Sequence, residues 1–417
     1  MTFFIKKKGK QEGEWRYQQH FGDIHCKDVK EEDIISALEF DKEGKYLAIG
    51  DGGGRIVILK KNPQVKSTEF QVLTEFQSHE MKFDTLKSEE IPQQIKQIKW
   101  VPKVNDSLFL LTSNAKTVKL WKIYRKTLHK VVTQQSPTTG KLEIPRLSDS
   151  KVIMAHNPKK EYKNAHEFTI NSVSTNSDGE TFLSADDLRI NLWHMDYPDA
   201  KHTIVDIKPD DMKNLSEVIT SATFHNTDCN QFIYTTTSGV TKLCDLRTGA
   251  TCGHHEREFS LKGTEKGFFT ETIAAVSDAK FSPDGRYILS RDYMTLKIWD
   301  VKMEKRPLKT FYVHECLRAK LYDLYENDCI FDKFDCHWSG DGRQVLTGSY
   351  KNTFNVFDVK GKKHYLSECA RKLKPKKEAN FSLLDYSKKV LRTAWHPYDQ
   401  SLAIATVNSL YIINGNS

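Results

Sequence analysis

The sequence predicts an all-β fold, a seven-bladed β-propeller, and two observations support that prediction. First, a pattern of three strands separated by a turn with Asp, Asn or Gly and by a polar turn recurs seven times along the chain. Second, the residues that end the seven first strands are regularly spaced, and the last three intervals are all 57 residues: Phe40, Trp100, Thr175, Phe224, Phe281, Trp338 and Trp395. Repeats of this kind indicate one ring of similar units, so we expect the 417 residues to form a single domain.

Each unit shows the alternation of apolar and polar residues, with many β-branched and aromatic side chains, that is typical of strands. The predicted blades lie near 36–61, 95–123, 170–195, 219–247, 276–301, 333–359 and 390–414. Four strands are expected in each blade, and the segment around Trp15 to Gln18 is expected to supply the strand that closes the ring.

Long insertions separate these units. Residues 62–94 are long enough for a projecting β-hairpin, and residues 122–165 suggest a loose loop or a hairpin. The KPDDMKNLSEV stretch within 196–218 is compatible with one short helix capped by an Asp. Residues 359–389 carry ten Lys or Arg against three acidic residues.

Composition excludes several classes of protein. Lys and Arg outnumber Asp and Glu by 63 to 55, an excess too small to require nucleic acid as a partner. The hydrophobic fraction of 38% is compatible with a globular fold, and no apolar run is long enough to span a membrane. The first apolar run is only four residues, and the eight cysteines show no paired spacing. We therefore expect an intracellular protein that is located in the cytoplasm, and a nuclear location is also open.

Catalytic and metal-binding motifs are absent from the sequence. The glycine-rich GDGGGR segment from Gly50 to Arg55 lacks the G-K-[ST] ending of a phosphate loop and precedes a predicted strand, so we interpret it as a hairpin turn. The chain contains no G-x-S-x-G, no H-E-x-x-H and no Cys/His cluster with zinc spacing. We predict that it is not an enzyme and that it needs no metal or cofactor.

A buried hydrogen-bonded set is expected in the third unit. His166, Ser184 and Trp193 match the His, Ser and Trp that share hydrogen bonds in WD repeats, and Asp187, six residues before the Trp, matches the turn Asp. Asp187 is equally compatible with a structural role and with a binding role.

Several carboxylates in predicted turns and connections are candidates for one shared face of the ring. They are Glu31, Asp187, Asp211, Glu326 and Asp328. Carboxylates gathered on one face would attract a basic peptide and raise its rate of encounter. The alternative for each of them is an ordinary solvated rim.

Longer stretches resemble one family closely. FQSHEMKFDTLKS, NAHEFTINSVSTNSDGETFLSADDLRINLWH, IVDIKPDDMKNLSEVITSATFH, YENDCIFDKFDCHW and LRTAWHP are similar to the WD-repeat regulatory B subunit, 55 kDa class, of protein phosphatase 2A. The resemblance extends from about Asp33 to Ile413. It implies a non-catalytic subunit of a Ser/Thr phosphatase heterotrimer, with a helical-repeat scaffold subunit, a catalytic subunit and basic-flanked phosphoprotein substrates as partners.

The resemblance also implies roles for particular residues. Those that match the family's substrate groove are Glu31, Asp187, Leu215, Tyr325, Glu326, Asp328, Phe331 and Lys333. Those that would contact the scaffold lie in the 76–95 hairpin: Phe76, His79, Glu80, Phe83, Asp84, Leu86 and Lys87.

Three departures from the family pattern accompany the resemblance. Gly52 stands where the family usually has Lys, Pro92 to Gln94 replace charged residues in the hairpin, and residues 122–165 barely resemble the family.

Two other functions stay open: a WD scaffold for a different assembly, and a nucleic-acid binder that uses the basic segment 360–377. No basic stripe with interleaved aromatic residues supports the second, so we predict no nucleic-acid partner.

Overall fold

The computed structural model describes residues 15–23, 28–62, 69–85, 88–104, 107–132, 146–248, 255–261, 267–361, 363–370, 373–376 and 385–415. In this part of the chain the strands form seven antiparallel sheets, six of four strands and one of five, together with one two-stranded sheet. The prediction of a seven-bladed propeller is therefore confirmed.

The strands follow one another blade by blade along the chain. The closing strand is β1 (Trp15–Phe21), blade 1 contains β2 (Ile35–Phe40), β3 (Tyr46–Asp51), β4 (Arg55–Lys61) and β5 (Phe70–Gln77), and the small sheet contains β6 (Lys82–Asp84) and β7 (Glu89–Ile91). Blade 2 contains β8 (Gln97–Val104), β9 (Ser107–Ser113), β10 (Val118–Val132) and β11 (Arg146–Tyr162). Blade 3 contains β12 (Ser172–Thr175), β13 (Thr181–Ala185), β14 (Arg189–His194) and β15 (Tyr197–Asp206). Blade 4 contains β16 (Ile219–Phe224), β17 (Gln231–Thr236), β18 (Thr241–Asp245) and β19 (Arg257–Phe259).

The remaining three blades complete the ring. Blade 5 contains β20 (Val276–Phe281), β21 (Tyr287–Asp292), β22 (Thr295–Asp300) and β23 (Lys309–Tyr312). Blade 6 contains β24 (Cys336–Trp338), β25 (Gln344–Gly348), β26 (Thr353–Asp358), β27 (His364–Glu368) and the extra outer strand β28 (Lys374–Lys376). Blade 7 contains β29 (Arg392–Trp395), β30 (Ser401–Thr406), β31 (Ser409–Gly415) and β1. The helical elements are α1 (Thr270–Ala274), α2 (Leu321–Glu326) and the 3-10 turns Glu31–Asp33, Met212–Asn214, Glu315–Lys320 and Cys329–Phe331.

Strand β1 closes the ring as expected. It pairs antiparallel with β31, from Trp15 opposite Gly415 to Phe21 opposite Leu410. Trp15 is buried and meets Trp395 edge-on, with ring centroids 5.6 Å apart. Because the first and last described strands pair within one sheet, this blade closes the ring.

The first strand of each blade separates the core from the central channel by simple alternation. Alternate residues of these strands pack between blades: the indole of Trp100 donates a hydrogen bond to the carbonyl of Glu39 at 3.0 Å. The residue one position earlier lines the channel, where Lys99 pairs with Glu39 at 2.7 Å. The hydrophobic core therefore consists of clusters between neighbouring blades, such as the one that blades 1 and 2 share.

The fourth strands of blades 1 and 2 lie inside segments that the sequence suggested were insertions. Strand β5 lies within 62–94 and β11 within 122–165. Residues 76 and 77 consequently belong to blade 1, and the hairpin within 76–95 is the short β6–β7 sheet.

Blade 2 carries a much longer projection. Beyond the part of β10 that pairs with β9, Tyr124–Val132 pairs only with β11, which extends the hairpin away from the blade. We call residues 124–132 and 146–155 the ribbon. Because it leaves the blade between the third and fourth strands, it emerges on the lower face, the one opposite the connections between blades.

Chain direction also defines the upper face. In each antiparallel blade the turn between the second and third strands lies at the same end as the connection to the next blade. The upper face is formed by these turns and connections, and it holds all the candidate substrate residues.

Candidate functional site

Topology brings the eight candidate substrate residues to one face although they are far apart in sequence. Glu31 lies in the Glu31–Asp33 turn, Asp187 between β13 and β14, and Leu215 directly after the Met212–Asn214 turn. The other five lie between β23 and β24: Tyr325, Glu326, Asp328, Phe331 and Lys333. The upper face is therefore the candidate site.

Asp186, and not Asp187, completes the buried hydrogen-bonded set of blade 3. Asp186 Oδ2 is 2.8 Å from His166 Nδ1, and His166 Nε2 is 2.7 Å from Ser184 Oγ. The indole of Trp193 donates to the same Ser184 hydroxyl at 2.8 Å. The structural role that the spacing to Trp193 left open for Asp187 belongs to its neighbour Asp186, because the turn that closes the set begins at Asp186.

The buried position of Asp186 explains its charge state. Burial alone would raise the pKa of Asp186, but hydrogen bonds from His166 and from the backbone amides of Leu188 and Arg189 leave it below its ordinary value. The carboxylate therefore stays ionised inside the blade. Asp187 is left to point into the upper face.

Asp187 takes part in a short polar path across the mouth of the channel. Its Oδ1 accepts a hydrogen bond from Asn171 Nδ2 at 2.7 Å, and the same amide nitrogen donates to the carbonyl of Ile219 at 3.0 Å. Asn171 Oδ1 lies 3.4 Å from Lys333 Nζ. The surrounding protein and the charge of Arg392 lower the pKa of Lys333 below its ordinary value, although Asp187 opposes the shift.

Leu215 directly follows the Met212–Asn214 turn, which lies where the sequence was compatible with one short helix capped by an Asp. The Asp211 carboxylate accepts the backbone amide of Lys213 at 3.0 Å and so caps the turn, which is one 3-10 turn and not a longer helix. Leu215 is half-buried, Met212 beside it is exposed, and Ser216 lines a cleft of about 560 Å³. Phe331 and Lys333 line the same cleft, so the connections that follow blades 3 and 5 face a common space.

An aromatic cluster borders this cleft, and two of its members, Phe268 and Phe269, were missed by reasoning from the sequence. The ring centroids of Phe268 and Phe269 lie 6.3 and 5.7 Å from that of Tyr325. The Tyr325 centroid in turn lies 6.1 Å from that of Phe331. Phe268 is 83% exposed and Phe331 56% exposed, which is unusual for such large apolar side chains. The adjacent pair of aromatic residues just before a short helix was the available signal.

The segment between β23 and β24 is held rigidly from below. Cys329 and Ile330 are buried, and the hydroxyl of Tyr350 lies 2.8 Å from the carbonyl of Cys329 and 3.0 Å from Asp332 Oδ2. Lys389 pairs with the other Asp332 oxygen at 2.5 Å. These contacts fix the turn in which Asp328 adopts a left-handed φ of 56° and keeps an exposed carboxylate.

Exposed acidic groups lie on the upper face. Glu31, Glu326 and Asp328 are all exposed, and within the described residues the carboxylates of Glu31 and Asp328 make no hydrogen bond or ion pair. Glu326 accepts a hydrogen bond from Tyr322, and that bond raises the pKa of the Tyr322 phenol. Two or more charges are thus available to an incoming cationic group.

Gly52 explains how the turn that carries Glu31 is placed. A Cβ at Gly52 would lie 2.1 Å from the carbonyl oxygen of Glu31, and the amides of Gly52 and Gly53 donate to the carbonyls of Ile34 and Glu32. Only glycine permits this approach of two backbones. The GDGGGR segment is the hairpin turn that we expected, between β3 and β4.

The candidate scaffold residues do not form one surface. Phe76 and His79 are buried: Phe76 packs 4.7 Å from Trp121, and burial lowers the pKa of His79 to about 3. Their side chains support blade 2 and are not available to a partner in this arrangement. Glu80 and Phe83 are exposed and Asp84 is half-buried, whereas Leu86 and Lys87 lie outside the described residues.

The ribbon presents a second exposed surface, with basic character. Alternation places Lys122, Lys126 and Lys130 on one side of β10, and Lys151 of β11 is paired opposite Leu128 of that side. The residues 125 to 130 are all exposed. A partner with an acidic surface would complement this side of the ribbon.

Metal-ligand clusters and membrane-spanning helices are both absent from the described part of the chain. Its residues contain no group of three or more His, Cys, Asp or Glu side chains arranged to hold a metal ion. Among them there is also no helix long and apolar enough to cross a membrane.

Comparison with known proteins gives consistent results. The family model "WD domain, G-beta repeat" matches residues 157–194 and 263–300. The chain is 45% identical to the regulatory B subunit of protein phosphatase PP2A from Schizosaccharomyces pombe, with 96% of this chain and 98% of the relative covered. It is 44% identical to "Protein phosphatase PP2A 55 kDa regulatory subunit" of Drosophila melanogaster, with 96% and 87% covered. It is 40% identical to "Serine/threonine-protein phosphatase 2A regulatory subunit phr2AB" of Dictyostelium discoideum, with 96% and 98% covered.

Proposed function

The chain belongs to the 55 kDa regulatory B subunit family of protein phosphatase 2A, and we propose that it recruits phosphoprotein substrates to that phosphatase through its upper face. Its role is regulatory and not catalytic. In the proposed heterotrimer it joins a helical-repeat scaffold subunit and a catalytic subunit, and the catalytic subunit hydrolyses the phosphate ester.

The observation that supports this proposal most directly is the composition of the upper face. Four carboxylates lie on the same upper face as the cleft that Phe331 and Lys333 line; Asp187 is half-buried, and the other three, Glu31, Glu326 and Asp328, are exposed. Leu215, Tyr325 and Phe268 add apolar surface beside it. A substrate segment with Lys or Arg near its phosphosite and an apolar residue at helical spacing would satisfy both features.

Recruitment of this kind accelerates dephosphorylation by proximity. A substrate held on the upper face has a high effective concentration at a catalytic centre placed over that face. The carboxylates would set the rate of encounter and the choice of substrate, and the apolar contacts would prolong the complex. No ionisable group of this chain needs to take part in bond cleavage.

For the scaffold contact we propose two surfaces. One is the β6–β7 hairpin, where Glu80 and Phe83 are exposed and Met81 is 59% exposed. The other is the ribbon, whose strands extend well beyond blade 2 and whose Lys126, Lys130 and Lys151 are exposed. The ribbon offers the larger area of the two, since each strand of the hairpin is only three residues long.

We propose cytoplasmic action, with entry into the nucleus also open, and no nucleic-acid partner. Part of the basic segment 360–377 is engaged within the fold: Lys374–Lys376 forms β28, and Lys376 pairs with Glu368 at 2.9 Å. Steeply salt-dependent binding of DNA or RNA would contradict this part of the proposal.

The proposal is tested by direct binding. The reconstituted heterotrimer would be titrated into a fluorescent phosphopeptide with flanking Lys and Arg, and the double variant Asp187→Lys, Leu215→Ala compared with wild type. We expect the Kd to rise at least about tenfold, because a repulsive charge replaces an attractive one and an apolar contact is lost.

The control is Glu304→Lys, which makes a comparable charge change at an exposed position of a lower-face connection. It should bind the peptide as wild type does. Unchanged binding by the double variant would refute the proposed groove, and loss of the scaffold from its complex would show that Asp187 or Leu215 is structural.

A further inference from the structure

Asn171 lies between two opposite charges of the upper face. Its amide nitrogen donates to Asp187 Oδ1 at 2.7 Å and its amide oxygen faces Lys333 Nζ at 3.4 Å. Asp187 belongs to blade 3, whereas Lys333 lies just before blade 6, on the other side of the channel mouth. One neutral side chain therefore contacts both a carboxylate and an ammonium group that come from distant parts of the ring.

Asn171 itself is held by three neighbouring blades. Its backbone amide donates to the carbonyl of Ala185 at 2.8 Å, and its carbonyl accepts from Gln97 Nε2 at 3.3 Å. Its side-chain nitrogen makes a second bond, to the carbonyl of Ile219 at 3.0 Å. With these bonds the amide cannot rotate without leaving a donor or acceptor unpaired.

Lys333 approaches from a backbone that is equally fixed. Asp332 is bound by Tyr350 and Lys389, and Phe334 is buried. The ammonium group is thus delivered to Asn171 by a rigid segment.

We propose that Asn171 is a positioning residue for substrate recognition: its amide keeps Asp187 and Lys333 apart, so that both charges stay available to a bound segment. Without the amide, Lys333 would move onto Asp187, and the resulting ion pair would neutralise the carboxylate that a basic substrate side chain needs. The substrate class that fits this arrangement has a basic side chain next to an oxygen acceptor, a carboxylate or a phosphate, at the spacing that Asn171 sets. This inference rests on the proposed function of the upper face.

The test is a double-mutant cycle on the reconstituted heterotrimer with the basic-flanked phosphopeptide as substrate. Asn171→Ala should raise KM about tenfold with little change in kcat, because the loss concerns binding through a charged hydrogen-bonded group. Adding Lys333→Met to Asn171→Ala should recover part of that KM, because Asp187 is then released from the ion pair although the contact of Lys333 with the substrate's oxygen acceptor is lost. A purely structural role for Asn171 would not be repaired by removing a second polar residue.

Asn226→Ala is the matched control, since the Asn226 amide also bridges blades, with a bond to the carbonyl of Ser282 at 2.8 Å, but on the lower face. It should leave KM unchanged. If Asn171→Ala retains the wild-type KM, or if the double variant is as weak as the single one, the inference is wrong. If Asp187→Lys also leaves KM unchanged, the upper face is not the substrate site and the proposed function itself fails.

Discussion

At the scale of single residues, one position separates a buried structural carboxylate from one that faces the proposed substrate site. Asp186 and Asp187 are adjacent, yet Asp186 is 1% exposed and bonded to His166, whereas Asp187 reaches the channel mouth. Sequence spacing alone did not distinguish them, because the length of the turn before Trp193 decides which carboxylate enters the buried set. The eventual assignment depends on hydrogen bonds that only the folded blade forms.

Asp186→Ala should lower the melting temperature by several degrees. The substitution leaves His166 and the amides of Leu188 and Arg189 without their buried acceptor, which costs on the order of 2–3 kcal/mol. Thermal unfolding followed by circular dichroism measures the effect. Asp187→Ala is the control and should change stability by less than about 1 kcal/mol; equal losses for both variants would contradict the assignment.

Gly52→Ala and Gly52→Lys should both disturb the turn that carries Glu31. The new Cβ would fall on the Glu31 carbonyl, and relieving that overlap costs about 1–3 kcal/mol. Only the Lys variant adds a positive charge, so it should weaken binding of the basic peptide more than the Ala variant does. If Gly52→Ala melts at the wild-type temperature, the close approach of the two turns is not required.

At the scale of elements, the predictable parts are the ones with strong periodicity. The first three strands of each blade and the closing strand at Trp15 follow from alternation and spacing, and they are confirmed. The fourth strands of blades 1 and 2 were hidden in polar segments, since an outer strand such as β11 exposes many of its residues and loses the apolar alternation. The aromatic cluster of Phe268, Tyr325 and Phe331 depends on contacts between separate connections, which no local pattern encodes.

Shortening the ribbon should weaken the scaffold contact more than removing the β6–β7 hairpin. One variant replaces residues 125–153 by a short Gly-Ser turn, and the other replaces residues 82–91 in the same way. Because the ribbon has the larger exposed basic surface, its loss should raise the Kd for the scaffold subunit at least about tenfold in a calorimetric titration. A larger effect of the hairpin variant would return the contact to Glu80 and Phe83.

At the scale of the whole molecule, the ring combines a neutral buried interior with charged faces. Burial lowers the pKa of His79, His314, His337 and His396, so these side chains stay neutral in the folded ring at neutral pH. In the unfolded chain a histidine titrates near 6.5 and takes up a proton below that value. Protons therefore bind preferentially to the unfolded chain at mildly acidic pH.

The melting temperature should consequently fall between pH 7 and pH 5. His79 has a folded-state pKa of about 3, so its contribution is complete above 6.5 and is lost progressively as the pH falls towards 3. Between pH 7 and pH 5 the free energy of unfolding should fall by about 2 kcal/mol because of this residue alone. Melting curves of wild type and His79→Gln at the two pH values measure it, and the variant should lose less stability on acidification. An equal loss in both proteins would show that His79 does not contribute.

The most direct test of the account is the specificity of the assembled phosphatase. The measurement is the ratio of kcat/KM for a basic-flanked phosphoprotein to kcat/KM for a small aryl phosphate, which is too small to reach the upper face and the catalytic centre together. We predict that Asp187→Lys with Leu215→Ala lowers this ratio at least about tenfold while the heterotrimer still assembles. An unchanged ratio in an intact heterotrimer would contradict the claim that the upper face selects the substrate.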